Sequence, residues 1–255
     1  MKLRVGLWDL GFGIWAWTAA LMLAGAGSAS AQGRGGGPPL SPWAGAPIDL
    51  TGYWVAVISE DWRWRMVTPA KGDHPSIPLT QAGKDAADTW DPARDEAAGE
   101  QCRSYGAPGL MRSPTRLHIT WLDDRTLKVE SDYGMQTRLL RFAPGPSPQL
   151  GAGTPAGGAP SWQGDSTARW EGSLRVVTTN LRPGYLRKNG VPYSGNATLT
   201  EFFDLFTHGS GDRWLVVTSR VHDPENLQTD WITSLNFKKE PNGSKWDPTP
   251  CSATW

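Results

Sequence analysis

From residue 53 onward, short runs of β-branched, aromatic and other apolar residues alternate with clusters of turn residues. These runs cover 53–59, 116–121, 126–132, 135–142, 173–180, 196–206, 213–221 and 231–239. Turn clusters such as LDDR, DYG, HGSGD and DPEN lie between them. Many short strands at close spacing predict an all-β fold, an antiparallel β-barrel or a strongly curved sandwich, rather than parallel β-α-β units.

Only one segment has helical character. Residues 78–102 are rich in alanine, with Thr80 as a candidate N-cap and Pro92 as an interruption. This pattern predicts one or two short helices on the outside or at a barrel mouth. The Gly/Pro/Ser-rich insertion at 143–162 has no core-forming residues and is interpreted as a loop within one sheet, with a domain linker as the alternative.

The N-terminus has the features of a secretory signal peptide at 1–31. Lys2 and Arg4 precede an apolar stretch that ends in an Ala29-Ser30-Ala31 cleavage signal. A retained membrane anchor is the alternative, although the apolar part is short against the roughly 20 residues of a spanning helix. Residues 32–47 are expected to be a flexible Gly/Pro-rich leader and 48–255 a single barrel-like domain. The expected location is periplasmic or secreted, with no stable membrane insertion after cleavage.

Charge and cysteine content narrow the functional classes. The chain has 25 basic and 25 acidic residues, so it carries no electrostatic footprint for nucleic acid. In an exported protein, Cys102 and Cys251 are expected to form a disulfide, with two free thiols as the alternative. The spacing of His and Cys residues does not indicate a metal site, and no phosphate-binding or dinucleotide fingerprint appears. We therefore expect no metal and no cofactor.

The stretch SEDWRWRM, residues 59–66, provides the first candidate site. If the chain stays extended from 53 to 67, Glu60, Trp62 and Trp64 share one apolar face, and Arg63 lies on the other. Glu60 would then be a lone carboxylate among tryptophans, where its pKa must rise or it must find a partner. Alternatively, a bulge near Glu60 turns it to water, because strands usually extend for about 5–6 residues.

Other candidates for acid–base chemistry are spread along the predicted strands. Glu201 shares a face with Leu199 and Phe203 and is expected to point inward, either as a second catalytic carboxylate or as the anchor of an interior arginine. His118 lies on a polar face that is either solvent or a polar lumen, and His222 lies at a strand end. Together with Glu60 these groups would suffice for proton transfer, but the sequence does not show that they converge.

Fifteen tryptophans favour a ligand-binding interpretation. A large β core would also account for them. Trp62 and Trp64 would supply contact area, while Glu60 and an arginine would orient a polar end of the ligand. The loop at 184–197 is interpreted as a lid over a cavity or as an ordinary hairpin. The ligand-binding candidates are Trp62, Trp64, Arg63, Arg103, Tyr185 and Arg220.

Several stretches resemble a widespread group of secreted bacterial β-rich proteins. They are DLTGYW (49–54), EQCRSYGAPGLMRSP (100–114), ARWEGSLRVVTTN (168–180), LTEFFDLF (199–206) and VHDPENLQTDWI (221–232). The resemblance implies an exported β-rich protein and brings no activity with it. The group has an acidic turn after WEG, where this chain has Ser173, a departure that concerns a hairpin. DLTGYW is also similar to the first strand of lipocalin-like barrels, which is an analogy of fold alone.

Three functions remain open. The first is binding of a small hydrophobic or aromatic molecule in a Trp-lined cavity of an exported barrel. The second is a cofactor-independent lyase, isomerase or hydratase that uses inward carboxylates or histidines. The third is a structural envelope protein with a filled core. An enzyme needs two titratable groups at one cavity, a binder needs a cavity with one polar anchor, and a structural protein needs no cavity.

Overall fold

A computed structural model describes residues 40–143 and 158–254. Its strands are β1 (Gly52–Val57), β2 (Arg116–Asp123), β3 (Thr126–Ser131), β4 (Gln136–Phe142), β5 (Asp165–Glu171), β6 (Ser173–Thr179), β7 (Gly184–Arg187), β8 (Val191–Tyr193), β9 (Thr198–Thr207), β10 (Arg213–His222) and β11 (Trp231–Glu240). A closed barrel forms in the order β1-β11-β10-β9-β6-β5-β4-β3-β2, and β7 and β8 make a separate hairpin. The predicted all-β barrel is confirmed.

The barrel interior is filled by side chains. Alternate residues of every barrel strand point inward, as the two-residue period of a strand requires, and all nine strands contribute to one apolar core. Trp54 at its centre is fully buried, and its indole nitrogen donates to the Leu50 carbonyl at 2.9 Å. The lumen is therefore a packed core, unlike the open cavity of a ligand-carrying barrel.

One strand pair of the barrel is parallel. β4 and β5 pair with Leu140 opposite Ser166 and Phe142 opposite Ala168, whereas the other neighbouring strands are antiparallel. Parallel neighbours require a crossover connection instead of a tight turn, which explains the long Gly/Pro-rich segment between them. Residues 144–157 of that segment lie outside the described residues.

Short helices cover the end of the barrel at which β1 finishes. They are α1 (Trp62–Arg65), α2 (Gln81–Asp88), α3 (Pro92–Ala97), a 3-10 helix (Gln101–Tyr105) and α4 (Ala107–Leu110). The helical segment predicted at 78–102 is confirmed as α2 and α3. The Thr80 hydroxyl accepts from the Gly83 amide at 3.0 Å, and Asp91 caps α3 in the same way.

A second apolar cluster fastens these helices to the barrel. We call the short helices together with the β7–β8 hairpin the covering layer. Its residues Leu79, just before α2, and Leu186, in β7, pack with Leu199, Val221 and Trp231 at the strand ends. We call this end of the barrel the capped end. The capped end is built mainly from loops and short helices, so its side chains are positioned by tertiary contacts more than by regular structure.

The two cysteines are bonded, as predicted, and Cys102–Cys251 ties the C-terminal tail to the 3-10 helix. The tail also bonds to the barrel through the Gly134 amide, which donates to the Thr249 carbonyl at 2.9 Å. In the described ranges, none of the helices combines the length and apolar character that a membrane crossing would require.

The predicted signal peptide at 1–31 lies outside the described residues, as do residues 32–39 of the leader predicted at 32–47. Contacts with the barrel begin before residue 48. The Trp43 amide donates to the Asp124 carbonyl at 3.2 Å, and the Trp170 indole donates to the Pro42 carbonyl at 2.9 Å. The last residues of the predicted leader therefore pack on the barrel end opposite the cap.

Candidate functional site

The chain leaves the sheet just before the tryptophan-rich stretch. The interpretation of 53–67 as one extended strand is wrong, because β1 ends at Val57 and α1 follows. Asp61 has a left-handed backbone, with φ of 55°, a conformation that aspartate tolerates better than most residues and that ends strand geometry. Glu60 is exposed, as the alternative interpretation expected, and Trp62 is 65% exposed.

The helical turn of α1 points a different residue inward. Arg65 is only 4% exposed, and its Nε donates to the Arg112 carbonyl at 2.8 Å. Arg112, which follows α4, and Arg187, at the end of β7, are also buried. Three guanidinium groups from distant parts of the sequence thus meet under the helices of the capped end.

Two adjoining clefts are built around these arginines. The first, called the Trp64 cleft, has a volume of about 20 Å³, which is room for one or two water molecules. The second, called the Trp231 cleft, has a volume of about 190 Å³. Arg65 and Arg112 line both clefts and so form the wall between them. The other lining residues include Ser104, Ser113, Arg187 and Lys188 in the Trp64 cleft, and Glu60, Asp61, Ser76 and Thr233 in the Trp231 cleft.

Burial shapes the electrostatics of the clefts. Burial, reinforced by the positive charge of Arg112, lowers the pKa of Arg65 to about 10 and the pKa of Arg187 to about 10. Burial also lowers the pKa of Arg112, against the opposing effect of Asp61. All three groups remain cationic at neutral pH, so the Trp64 cleft concentrates positive charge in a desolvated space, whereas Glu60 and Asp61 balance the arginines in the Trp231 cleft.

Indole rings hold two of the guanidinium groups. The Arg112 guanidinium lies 4.8 Å from the centre of the Trp231 ring. Trp64 lies between two cations, with the Arg63 and Arg187 guanidinium groups each 4.9 Å from its ring centre. Such cation–π contacts help to hold the guanidinium groups in place. Arg63 itself is exposed and pairs with Asp73 at 2.5 Å.

Lys188 lies beside the arginines and lines the Trp64 cleft. Its amine donates to the hydroxyls of Tyr105 and Tyr133, each at 2.8 Å, and to the carbonyls of Ser252 and Thr254 in the C-terminal tail. Burial lowers the pKa of Lys188 to about 7. Lys188 therefore joins the cleft to the tail that the disulfide holds.

The carboxylate predicted to point inward, Glu201, does so, but in a different part of the molecule. It is completely buried in the barrel and pairs with Arg138 through both carboxylate oxygens. Glu60 lines the Trp231 cleft at the surface. The two carboxylates therefore do not form the acid–base pair that the enzyme hypothesis requires, and Glu201 has the arrangement of a structural anchor.

Neither candidate histidine faces the clefts. His118 lies on the outer face of β2, stacked on Tyr53 with ring centres 4.1 Å apart, and its Nδ1 lies 3.2 Å from Glu130. Of the two environments predicted for His118, a polar lumen is excluded, because Leu117 and Ile119 on either side of it point into the core.

The second histidine is on another outer face. His222 is exposed on β10, and its Nδ1 lies 2.7 Å from Asp230. Arg220, one of the predicted ligand-binding arginines, pairs with the same carboxylate. Arg220 and His222 therefore form a surface cluster away from the lining of both clefts.

Two other predicted residues meet each other through a buried carboxylate. Arg103 donates to one oxygen of Asp95 at 2.9 Å, and the Tyr185 hydroxyl donates to the other at 2.8 Å. The Arg103 guanidinium also lies 4.9 Å from the Tyr185 ring centre. Burial raises the pKa of Tyr185. This cluster, which joins α3, the 3-10 helix and the β7–β8 hairpin, positions the covering layer.

Two of the predicted site residues, Trp64 and Glu60, line the clefts. The sequence prediction did not include the three cleft arginines. Arg65 lies in the WRWR motif, but an extended chain would have placed it with Arg63. Arg187 lies in the segment 184–197, for which the sequence allows a lid or a hairpin. The structure shows the β7–β8 hairpin, and Arg187, the last residue of β7, lines the Trp64 cleft. In the part of the chain that the structure describes, no cluster of three His, Cys, Asp or Glu residues could hold a metal ion.

Comparison with known proteins assigns neither a family nor a function to the chain. No family model, no curated protein and no solved structure matches the chain.

Proposed function

We propose that this is an exported barrel protein that binds a small hydrophobic or aromatic molecule in the Trp64 and Trp231 clefts of its capped end. The disulfide supports an oxidising compartment such as the periplasm or the cell exterior. The ligand site differs from the lumen site that a lipocalin-like barrel would use.

A single observation carries the proposal. The barrel interior is occupied by side chains from all nine strands, whereas two adjoining clefts at the capped end are bordered by the Trp64 and Trp231 indoles and share Arg65 and Arg112. Each cleft has one indole among mainly polar and charged side chains, and small-molecule sites combine aromatic surface with convergent polar groups. The volume of about 190 Å³ lies below the roughly 300–1,000 Å³ of drug-sized pockets, so the ligand is small or extends over the rim.

A second candidate, acid–base catalysis in the same clefts, is favoured by Lys188. This amine lines the Trp64 cleft in contact with two tyrosine hydroxyls, and burial lowers its pKa to about 7. Groups that titrate near neutral pH suit proton transfer. A purely structural protein would also have a filled barrel, but it would not need cationic clefts at one end.

The test is native mass spectrometry of protein exported to and purified from a periplasm, compared with the same sample after denaturation. We expect a mass excess that is lost on denaturation in the wild type. The excess should disappear in Trp64→Leu and Trp231→Leu and persist in Trp62→Leu, the matched control, because Trp62 is exposed and lines neither cleft. No excess in the wild type, together with no uptake of an apolar fluorescent dye, would overturn the proposal in favour of the structural function.

A further inference from the structure

We propose that the clefts recognise an oxyanion on the ligand, with the carboxylate of an aromatic acid as the best fit, through the guanidinium groups of Arg65, Arg112 and Arg187. This inference rests on the proposed function, because it names the chemical class of ligand for the same site.

Two of these buried cations, Arg65 and Arg187, have no carboxylate as a hydrogen-bond partner in the described chain. Arg65 and Arg187 are 4% and 3% exposed, yet their hydrogen bonds go to neutral acceptors. Arg65 donates to the Arg112 and Glu60 carbonyls, and Arg187 donates to the Pro75 carbonyl and the Ser76 hydroxyl. Burying a charge without an opposite charge in contact is costly, so an anion in the cleft would relieve that cost.

Two N–H donors of these arginines also lack an acceptor. Arg65 Nη2 and Arg187 Nε are buried and have no hydrogen-bond partner within the described residues. Both residues line the Trp64 cleft. Buried polar atoms are nearly always satisfied in folded proteins, so two orphan N–H groups beside one cleft point to a missing acceptor.

Arg138, inside the barrel, also has an Nε without a hydrogen-bond partner in the described residues, but it differs from Arg65 and Arg187 in having a carboxylate partner. Its two terminal nitrogens donate to both oxygens of Glu201, at 2.6 and 3.1 Å. Of the three cleft arginines, only Arg112 has a hydrogen-bonded carboxylate, that of Asp61 at 3.0 Å. The charges of Glu60, Asp61 and Asp73 moderate the positive charge around Arg65 and Arg187, but in the described chain their carboxylates make no hydrogen bond to either guanidinium group.

Size and shape favour a carboxylate. The Trp64 cleft has space for one or two small groups, which suits the two oxygens of a planar carboxylate better than a tetrahedral phosphate. A guanidinium group presents paired N–H donors in the plane that a carboxylate prefers. The larger Trp231 cleft, with its indole, would then hold the ring of the ligand.

The experiment is isothermal titration calorimetry on the full disulfide-bonded chain, freed of any retained ligand by dialysis, with benzoate, its neutral analogue benzamide, phenyl phosphate and inorganic phosphate. We expect benzoate to bind more tightly than benzamide. Arg65→Met and Arg187→Met should each weaken benzoate binding by about tenfold or more, the effect of losing a hydrogen bond to a charged group. Arg63→Gln, the exposed arginine next to α1, should leave binding unchanged. Circular dichroism and thermal unfolding establish that each variant is folded.

The outcomes separate the two proposals. Equal binding of benzoate and benzamide, or benzoate binding that both arginine variants retain, overturns the oxyanion subsite and leaves the proposed function standing. Phenyl phosphate binding more tightly than benzoate, with the same arginine dependence, supports the oxyanion subsite and identifies phosphate as its source. Inorganic phosphate binding as tightly as phenyl phosphate, lost in the arginine variants, supports the subsite but contradicts a role for the aromatic walls. If none of the four probes binds, the oxyanion subsite is overturned, and native mass spectrometry then decides the proposed function separately.

Discussion

The Glu201 carboxylate and the Arg138 guanidinium face each other inside the barrel, joined by hydrogen bonds of 2.6 and 3.1 Å, with neither side chain reaching solvent. The Arg138 guanidinium also donates to the Thr178 hydroxyl at 3.2 Å, and Thr178 bonds in turn to Ser166 at 2.8 Å. This network crosses the lumen from β4 to β5, β6 and β9. It pairs the two buried charges with each other and links these four strands through side-chain hydrogen bonds.

Glu201→Gln is expected to lower the free energy of unfolding by about 3–5 kcal/mol, because it leaves Arg138 as an uncompensated buried charge. Urea denaturation measures the change. Glu130→Gln provides a control, because Glu130 pairs with Lys128 on the outer face, where an ion pair contributes about 0–1 kcal/mol. Replacing both partners, as Arg138→Met with Glu201→Leu, should recover much of the loss. A loss below 1 kcal/mol in the single variant would contradict the role of the pair.

Replacing both cysteines, as Cys102→Ser with Cys251→Ser, is expected to lower the free energy of unfolding by about 2–5 kcal/mol. The bond joins residues 149 positions apart, so its removal frees a long loop in the unfolded chain. Denaturation with and without a reducing agent tests this. Reductant should bring the wild type to the stability of the variant and leave the variant unchanged. If the wild type does not lose stability on reduction, the tail is held by its non-covalent contacts alone.

Gly134→Ala is expected to destabilise the protein more than Gly172→Ala. Both glycines have a left-handed backbone, with φ of 79° and 85°, so any side chain there costs about 1–2 kcal/mol. At Gly134 a Cβ atom would also lie 2.1 Å from a ring carbon of Tyr105, whereas nothing lies within 4 Å at Gly172. Thermal unfolding compares the two variants. Equal losses would show that the Tyr105 ring moves aside without cost.

Lys188 is expected to make stability depend on pH. Burial lowers its pKa to about 7 in the folded protein, while the unfolded chain keeps an ordinary lysine pKa near 10.5. Between these values the unfolded chain binds more protons, so the free energy of unfolding rises as the pH rises. The cost of burying the charged amine is fully present below pH 7 and is progressively relieved toward pH 10.

Chemical denaturation at intervals between pH 6.5 and 9 measures this dependence. Lys188→Met should remove the contribution, so that the difference between wild type and variant grows with pH in favour of the wild type. Lys128→Met, which changes a lysine on the outer face of β3, should keep the wild-type slope. Parallel curves for wild type and Lys188→Met would mean that the tyrosine hydroxyls and tail carbonyls keep Lys188 charged.

Much of the barrel follows from local pattern. In β9, the period of two places Leu199, Glu201 and Phe203 on one face, and all three lie inside the barrel, as predicted. β5 was not among the predicted strands, because its inward residues Ser166 and Ala168 are too small to give an apolar signal. Its pairing is determined by its neighbours β4 and β6, which a sequence pattern does not reveal.

The candidate site was less accessible to sequence reasoning. The predicted alternation of Glu60, Trp62 and Trp64 failed because β1 ends at Val57 and the chain enters α1 after Asp61, whose backbone is left-handed. Arg65 and Arg187 meet only through the packing of the covering layer on the barrel end. Such contacts over long sequence distances depend on tertiary structure, so no local motif identifies them.

The long connection that the parallel β4–β5 pair requires lies, in the sequence, between the two cysteines of the disulfide. The connection leaves β4 at Phe142, beside Arg125 at the uncapped end, and returns at Gln163, whose side chain bonds to the Tyr105 carbonyl at the capped end. A protease that cut the chain within 144–157 would separate an N-terminal piece containing β1–β4 from a C-terminal piece containing β5–β11. Cys102 belongs to the first piece and Cys251 to the second, so the nicked protein would remain one molecule until it was reduced.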